Sequence, residues 1–276
     1  MGRLDGKVAF ITGGARGQGR SHAVMMAEEG ADIITLDLCE QVDSVEYPMA
    51  TPEDLEETSR LVEKTGRRIV ARQADVRDFD AVSEVLAEGL SELGRLDFVL
   101  ANAGIMAMLG EQGRQRRAFY DSVDVLLTGA FHTCEAAIPV LIEQDQGGAI
   151  VITSSTAGLK GLAPNRKVAA SGYLGYTAAK HGVVGLMRAY ANALAPHRIR
   201  CNTVHPTGVN SPMVVNDAFA RFIEENPEGT VGMINALPVE LLDVSDISKA
   251  IVFLCSPDAQ YITGVTLPVD AGLCNK

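Results

Sequence analysis

The sequence predicts a doubly wound α/β fold, a parallel sheet of about seven strands with helices on both faces. Three observations carry this. Short apolar runs recur along the 276 residues. Most are apolar throughout, as strands buried on both faces are, and do not alternate as strands wetted on one face do. The segments between them are long enough for crossover helices.

The strand runs are Val8 to Thr12, Asp32 to Asp37, Ile69 to Gln73, Phe98 to Ala101, Ala149 to Thr153, Arg200 to His205 and Thr266 to Val269. Helices are expected in the gaps, including Gly19 to Glu29, closed by Gly30, and Asp78 to Leu93. After the second strand, Leu38 to Ala50 is an added polar loop that ends at Thr51, a helix N-cap, with Pro52 at the first helical position. Two further irregular stretches, 159–172 and 208–236, are expected to line a substrate pocket.

With 47% hydrophobic and 21% charged residues, the chain reads as one domain over residues 1–276. A net charge of -11 repels nucleic acid and anionic membranes. Five scattered cysteines argue against a disulfide framework, and the five histidines form no HxxxH pair, so no metal site is expected. No apolar run precedes the first strand and no later segment is expected to span a membrane, which makes the expected compartment the cytoplasm.

The first strand runs into Thr12-Gly13-Gly14-Ala15-Arg16-Gly17-Gln18-Gly19. Glycines at 13, 17 and 19 let the turn tighten and the backbone approach a pyrophosphate, which the next helix's free N–H groups and dipole would hold. Gly13, Ala15, Arg16, Gly17, Gln18 and Gly19 are therefore candidate cofactor contacts, and the fold is of Rossmann type. Asp37 ends the second strand, with Leu38 beside it. A carboxylate there accepts from ribose hydroxyls and repels a 2'-phosphate, which favours NAD over NADP. Arg16 pulls the other way, since a guanidinium could pair with that phosphate. Asp75 and Val76 could hold the adenine edge, or could belong to a helix cap near Asp78.

Tyr176 and Lys180 are four residues apart, on one helix face. A nearby ammonium is expected to lower a phenol's pKa, which would let Tyr176 exchange a proton while hydride leaves a carbinol carbon. Ser155, just after the fifth strand, would orient the substrate oxygen.

These motifs occur in the order of the short-chain dehydrogenase/reductase family, which the chain resembles over nearly its whole length: TGGARGQG, Asn102-Ala103-Gly104, Ser155, YTAAK, Pro206-Thr207-Gly208 and Val269-Asp270-Ala271-Gly272. The resemblance implies that Asn102, Ala103 and Gly104 shape the cofactor pocket. It also implies that Lys180 holds the nicotinamide ribose, that Val209 and Ser211 reach the carboxamide beside Pro206 and Gly208, and that the protein is a homotetramer. The opening GRLDGKVAFITGGARGQGRSHA, the added loop, AAKHGVVGLMR and NTVHPTGVNSPM resemble the carveol-dehydrogenase-like, mycofactocin-coupled subgroup. That likeness implies a tightly held NAD, an external redox partner that re-oxidises it, and secondary alcohols such as monoterpenols as substrates.

The chain departs from the family pattern twice. Leu126 stands where the family has an asparagine that orients a water relay, and 21 residues separate Ser155 from Tyr176 where about a dozen are usual. Tyr173 lacks a lysine four residues on and reads as a pocket wall or a helix-start packing residue. Arg166 and Lys167 read as solvated loop charges or as contacts for an acidic group. The leading expectation is an NAD-dependent secondary-alcohol dehydrogenase. The alternatives are a 3-oxoacyl-carrier reductase using NADPH, motivated by Arg16, and an NAD-binding protein whose catalysis has lapsed, motivated by Leu126.

Overall fold

Strand β1 (Val8–Thr12) is buried at all five residues, as a strand covered on both faces must be. Its side chains alternate between two cores: Val8 and Phe10 enter one, Ala9 and Ile11 the other. The computed structural model describes residues 2–227 and 231–276. β2 (Asp32–Asp37), β3 (Ile69–Gln73), β4 (Phe98–Ala101), β5 (Gly148–Thr153), β6 (Ile199–Pro206) and β7 (Thr266–Val269) complete a seven-stranded sheet in the order β3-β2-β1-β4-β5-β6-β7. Every pairing between these strands is parallel. The order reverses between β1 and β4, which opens a crevice at the carboxyl ends of the strands.

One face is covered by α1 (Gly17–Glu28) and α8 (Val244–Cys255), whose Met26, Ile251 and Leu254 share a core with Ile11. The other carries α3 (Phe79–Leu93), α5 (Gly129–Gln144) and α6 (Ser171–Ala193), whose Val82, Leu141 and Met187 pack with Phe10. The strand boundaries match expectation to within a residue: β5 and β6 each start one residue early, and β6 runs to Pro206, which pairs with Val269. α1 begins at Gly17, two residues before the expected start, and ends where Gly30 takes φ 99°. Asp78 caps α3 by accepting from Asp80 and Ala81 N–H.

α4 (Arg116–Val123), a π-helical segment (Asp124–Thr128) and α5 form one run, Arg116–Gln144. By length and composition alone this run suffices to cross a membrane, contrary to the expectation that no segment does. Ala130, Cys134, Ala137 and Leu141 are buried beside the sheet, so core packing accounts for the hydropathy. The 208–236 stretch is not wholly a loop, since Asn216 caps a helix there, α7 (Asp217–Glu225); residues 228–230 of that stretch lie outside the described residues.

The inserted loop 38–51 is folded, with an apolar side that its polar composition conceals. Val42, Val45 and Tyr47 enter the core, and the Gln41 carboxamide binds the backbone of Val45, Tyr47 and Met49. The loop leads into α2 (Pro52–Glu63), which starts with a reciprocal capping box: Thr51 accepts from Asp54 N–H and the Asp54 carboxylate accepts from Thr51 N–H. Thr51→Ala is expected to cost about 1 kcal/mol, measured by denaturant unfolding. An unchanged midpoint would mean that tertiary contacts, not the cap, hold the insertion's exit.

Candidate active site

The glycine turn is held from below. The Arg20 guanidinium donates to the Ala15 carbonyl at 2.5 and 2.9 Å and to the Asp54 carbonyl at 2.7 Å, and Thr58 Oγ1 donates to Gly14 and Ala15 carbonyls. A Cβ on Gly19 would lie 1.9 Å from the Gly13 carbonyl oxygen, and one on Gly13 would lie 2.7 Å from Ala103 Cα. The turn therefore needs glycine at both positions to close this tightly against α1 and the segment after β4. The Asn102 carboxamide donates to Thr12 and Gly13 carbonyls and accepts from Thr153 Oγ1, so it spans the ends of β1, β4 and β5.

These elements wall an open cleft. Of the expected residues, Gly13, Arg16, Gly17, Gln18, Gly19, Asp37, Leu38, Asp75, Val76, Asn102, Ala103, Gly104, Tyr176, Lys180 and Ser211 line it. Ala15, Ser155, Pro206, Gly208 and Val209 do not. The Ala15 N–H is taken by the Asp37 carboxylate at 3.0 Å, and its methyl is fully buried. Pro206 ends β6 in register with Val269. Val209 bridges to Leu242, whose N–H binds the Gly208 carbonyl, so strand pairing holds this backbone away from the cleft. Ser155, next to the lining residue Ser154, has its hydroxyl within reach of the Tyr176 phenol.

The Asp37 carboxylate reaches the wall holding two backbone N–H groups, those of Ala15 and Cys39. Burial raises its pKa, against the pull of those hydrogen bonds and of the Arg16 charge. Arg16 donates to the Pro48 carbonyl of the insertion at 2.5 Å. Asp75 lines the cleft, but its carboxylate is paired with Arg77 at 2.5 Å; its burial, which opposes ionisation, is outweighed by those hydrogen bonds, so its pKa is lowered. The cap role belongs to Asp78.

On α6, the Lys180 Nζ lies 5.7 Å from the Tyr176 ring centroid, which bears out the shared helix face. Lys180 is buried, its ammonium donates to the Thr153 carbonyl at 2.7 Å, and burial pushes its pKa down to about 7. Tyr176 does not show the expected lowering. Burial raises its pKa in the chain alone, with the Ser155 hydroxyl pulling the other way. Both shifts have one cause, the loss of water around ionisable groups at the base of the cleft.

Sequence reasoning did not find Tyr47, Val42, Met49 and Ala50, which bring the insertion to the cleft, nor Ile105, Pro212 and Met213. Tyr47 Oη accepts from Met106 N–H at 3.1 Å, and the ring is buried. The one signal was a tyrosine inside a loop otherwise read as polar. Leu126 is buried at the cleft wall and packs closely on Gly104, where a Cβ would lie 3.0 Å from Leu126 Cδ2. It sits in the π-helical segment, a conformation that occurs frequently at functional sites. Arg166 and Lys167 are tied to the chain's own backbone, Arg166 to the Ala169 carbonyl and Lys167 to that of Glu225 at the end of α7. Among the described residues there is no group of three or more potential metal ligands.

A nucleotide-binding crevice at the switch point, floored by a tyrosine and a lysine one helical turn apart, defines a class of oxidoreductase. A family model described as enoyl-(acyl carrier protein) reductase matches residues 13–274, and the chain belongs to the short-chain dehydrogenase/reductase family. It is 55% identical over 275 residues to the uncharacterized oxidoreductase MT2820 of Mycobacterium tuberculosis, covering 99% of this chain and 98% of that one. It is 45% identical to the (-)-trans-carveol dehydrogenase of Rhodococcus erythropolis over the full length of both. Its fold matches the carveol dehydrogenase of Mycobacterium avium, solved in complex with NAD, with a TM-score of 0.92 at 47% identity over the whole of both chains.

A lysine whose folded pKa lies near 7, below its unfolded value of 10.5, burdens the cofactor-free chain. The burden is complete below pH 7, where the ammonium stays charged in the buried site, and fades as pH rises toward 10.5, because the unfolded chain then holds a proton that the folded chain lacks. Lys180→Met is therefore expected to raise the melting temperature of the cofactor-free protein more at pH 6 than at pH 9. An increment that is equal at both, or larger at pH 9, would contradict the burial argument.

Proposed function

We propose that the chain is an NAD-dependent dehydrogenase that oxidises a hydrophobic, cyclic secondary alcohol of the terpenol kind to its ketone. The observation that carries this is the placement of Tyr176 and Lys180 at the base of the glycine-turn cleft, with Ser155 beside the phenol. The cleft fits a dinucleotide on its own evidence: the glycine cradle excludes a Cβ, and Gln18 Oε1 is buried with no protein partner. The glycine turn and the start of α1 would hold the pyrophosphate, Asp37 the adenosine ribose, and Lys180 with Asn102 the nicotinamide side. When bound, NAD supplies the acceptor for the hydride that leaves the carbinol carbon.

The chain's own groups handle the proton. Ser155 Oγ, hydrogen-bonded to the phenol, orients the alcohol oxygen, and the ionised Tyr176 oxygen takes the hydroxyl proton as the carbonyl forms. Lys180, held by the Thr153 carbonyl, presents its ammonium to the tyrosine and favours the ionised form. The positive charge of the oxidised cofactor acts in the same direction, offsetting the burial that raises Tyr176 in the chain alone.

An NADPH-dependent reductase is disfavoured by two contacts. Asp37 stands where a 2'-phosphate would go, and the Arg16 guanidinium is engaged by the Pro48 carbonyl. The proposal extends to one catalytic domain over residues 1–276, working in the cytoplasm as a homotetramer. The insertion would close over the nucleotide, so that bound NADH is re-oxidised in place by an external redox partner. Four buried, unpaired cysteines suit a reducing compartment.

The test is single-turnover reduction of the protein-bound nicotinamide on adding carveol, compared with Tyr176→Phe. The wild type is expected to form the reduced nucleotide, and Tyr176→Phe to do so at least about 100-fold more slowly. Bound NAD that neither carveol nor any other secondary alcohol in a panel reduces would overturn the dehydrogenase reading in favour of lapsed catalysis.

A further inference from the structure

His205 is the penultimate residue of β6 and is fully buried, yet both its ring nitrogens are engaged. Nδ1 lies 2.8 Å from the Ser155 carbonyl oxygen, and Nε2 lies 2.8 Å from Thr203 Oγ1. A carbonyl can only accept, so Nδ1 carries the hydrogen, and Nε2 of the neutral ring accepts from the Thr203 hydroxyl. The second bond is compatible with the tautomer that the first requires. Desolvation lowers the ring's pKa, which agrees with a neutral imidazole.

The first bond falls on the backbone of the residue that orients the substrate. Ser155 is in an extended conformation ahead of a single 3-10 turn, Thr156–Gly158, and its carbonyl also accepts from Gly158 N–H at 2.9 Å. Ser154, the residue before it, is pinned through its N–H to the Val204 carbonyl and through its hydroxyl to the Lys180 carbonyl. The peptide after Ser155 has no such strand partner, because β5 has ended at Thr153. Without the imidazole, the Ser155 carbonyl would keep only the Gly158 N–H as a hydrogen-bond partner, and Oγ, which accepts from the Ala157 N–H of the same turn at 3.1 Å, would shift with that turn.

We infer that His205 is a positioning residue: by holding the Ser155 carbonyl, it aims the Ser155 hydroxyl at the substrate oxygen. This rests on the role proposed above for Ser155. It assigns part of the catalytic geometry to β6, a strand whose side chains do not otherwise reach the reacting atoms.

The test uses the NAD-loaded protein with carveol as the probe alcohol. His205→Ala is expected to slow nicotinamide reduction at saturating alcohol roughly tenfold, while NAD content and the half-saturating alcohol concentration change by less than about twofold. His205→Asn, whose amide N–H falls near the place of Nδ1, is expected to recover most of the rate, and His205→Gln, whose amide reaches further, is not. The Ser155→Ala, His205→Ala double variant is expected to be no slower than Ser155→Ala alone. Losses that multiply in the double variant, or a wild-type rate for His205→Ala, would overturn the inference and leave Ser155 in place. A fast Ser155→Ala would remove the role of the serine itself and His205's with it. If His205→Ala does not fold, Asn and Gln variants of equal rate would be the contrary result.

Discussion

The Asn102 carboxamide binds the carboxyl ends of three neighbouring strands, with Thr12 and Gly13 on β1 and its turn and Thr153 on β5. These strands flank the point where the strand order reverses, and the crevice between them has no strand to fill it. The tie sets its width. Gly19 can then close on Gly13, Ala103 can pack against the glycine turn, and Thr153 can turn its carbonyl to Lys180. The cleft and the buried Lys180 beside Tyr176 thus lie where all three strand ends meet.

Burial at that meeting point has opposing effects. It pushes Lys180 down to about 7 and raises Tyr176, so the chain alone holds a phenol that resists ionisation beside a reluctant cation. The buried ammonium is tolerated because the Thr153 carbonyl receives it. A positive charge arriving with the oxidised cofactor favours the phenolate, which couples base strength to nucleotide binding. This is a strained arrangement of charges kept for function, and it sits where the sheet offers carbonyls but little water.

The fold was legible because its signals are local and repeated. Apolar runs such as Val8 to Thr12 report burial on both faces, and Thr51-Pro52, Asp78 and Gly30 mark helix ends by their own chemistry. The glycine turn, Asp37, Tyr176 and Lys180 were legible for the same reason, each needing one residue type at one spacing. What depended on distant pairing was hidden. Val209 bridges to Leu242, Arg77 occupies the Asp75 carboxylate, and Tyr47 reaches the cleft through a loop whose composition reads as polar. The sign of the Tyr176 shift was misjudged because helical spacing gives the distance to Lys180 but not the water lost around both.

The Asp37 carboxylate stands on the cleft wall with Arg16 turned to Pro48, and the proposed function places the adenosine ribose of a dinucleotide against it. The most direct test is to release any nucleotide from the freshly purified protein by denaturation and identify it by mass. The account predicts NAD, because a carboxylate holding the backbone N–H groups of Ala15 and Cys39 accepts from a free 2'-hydroxyl and repels a phosphate. NADP in its place would contradict the reading of Asp37, and with it the function built on this cleft.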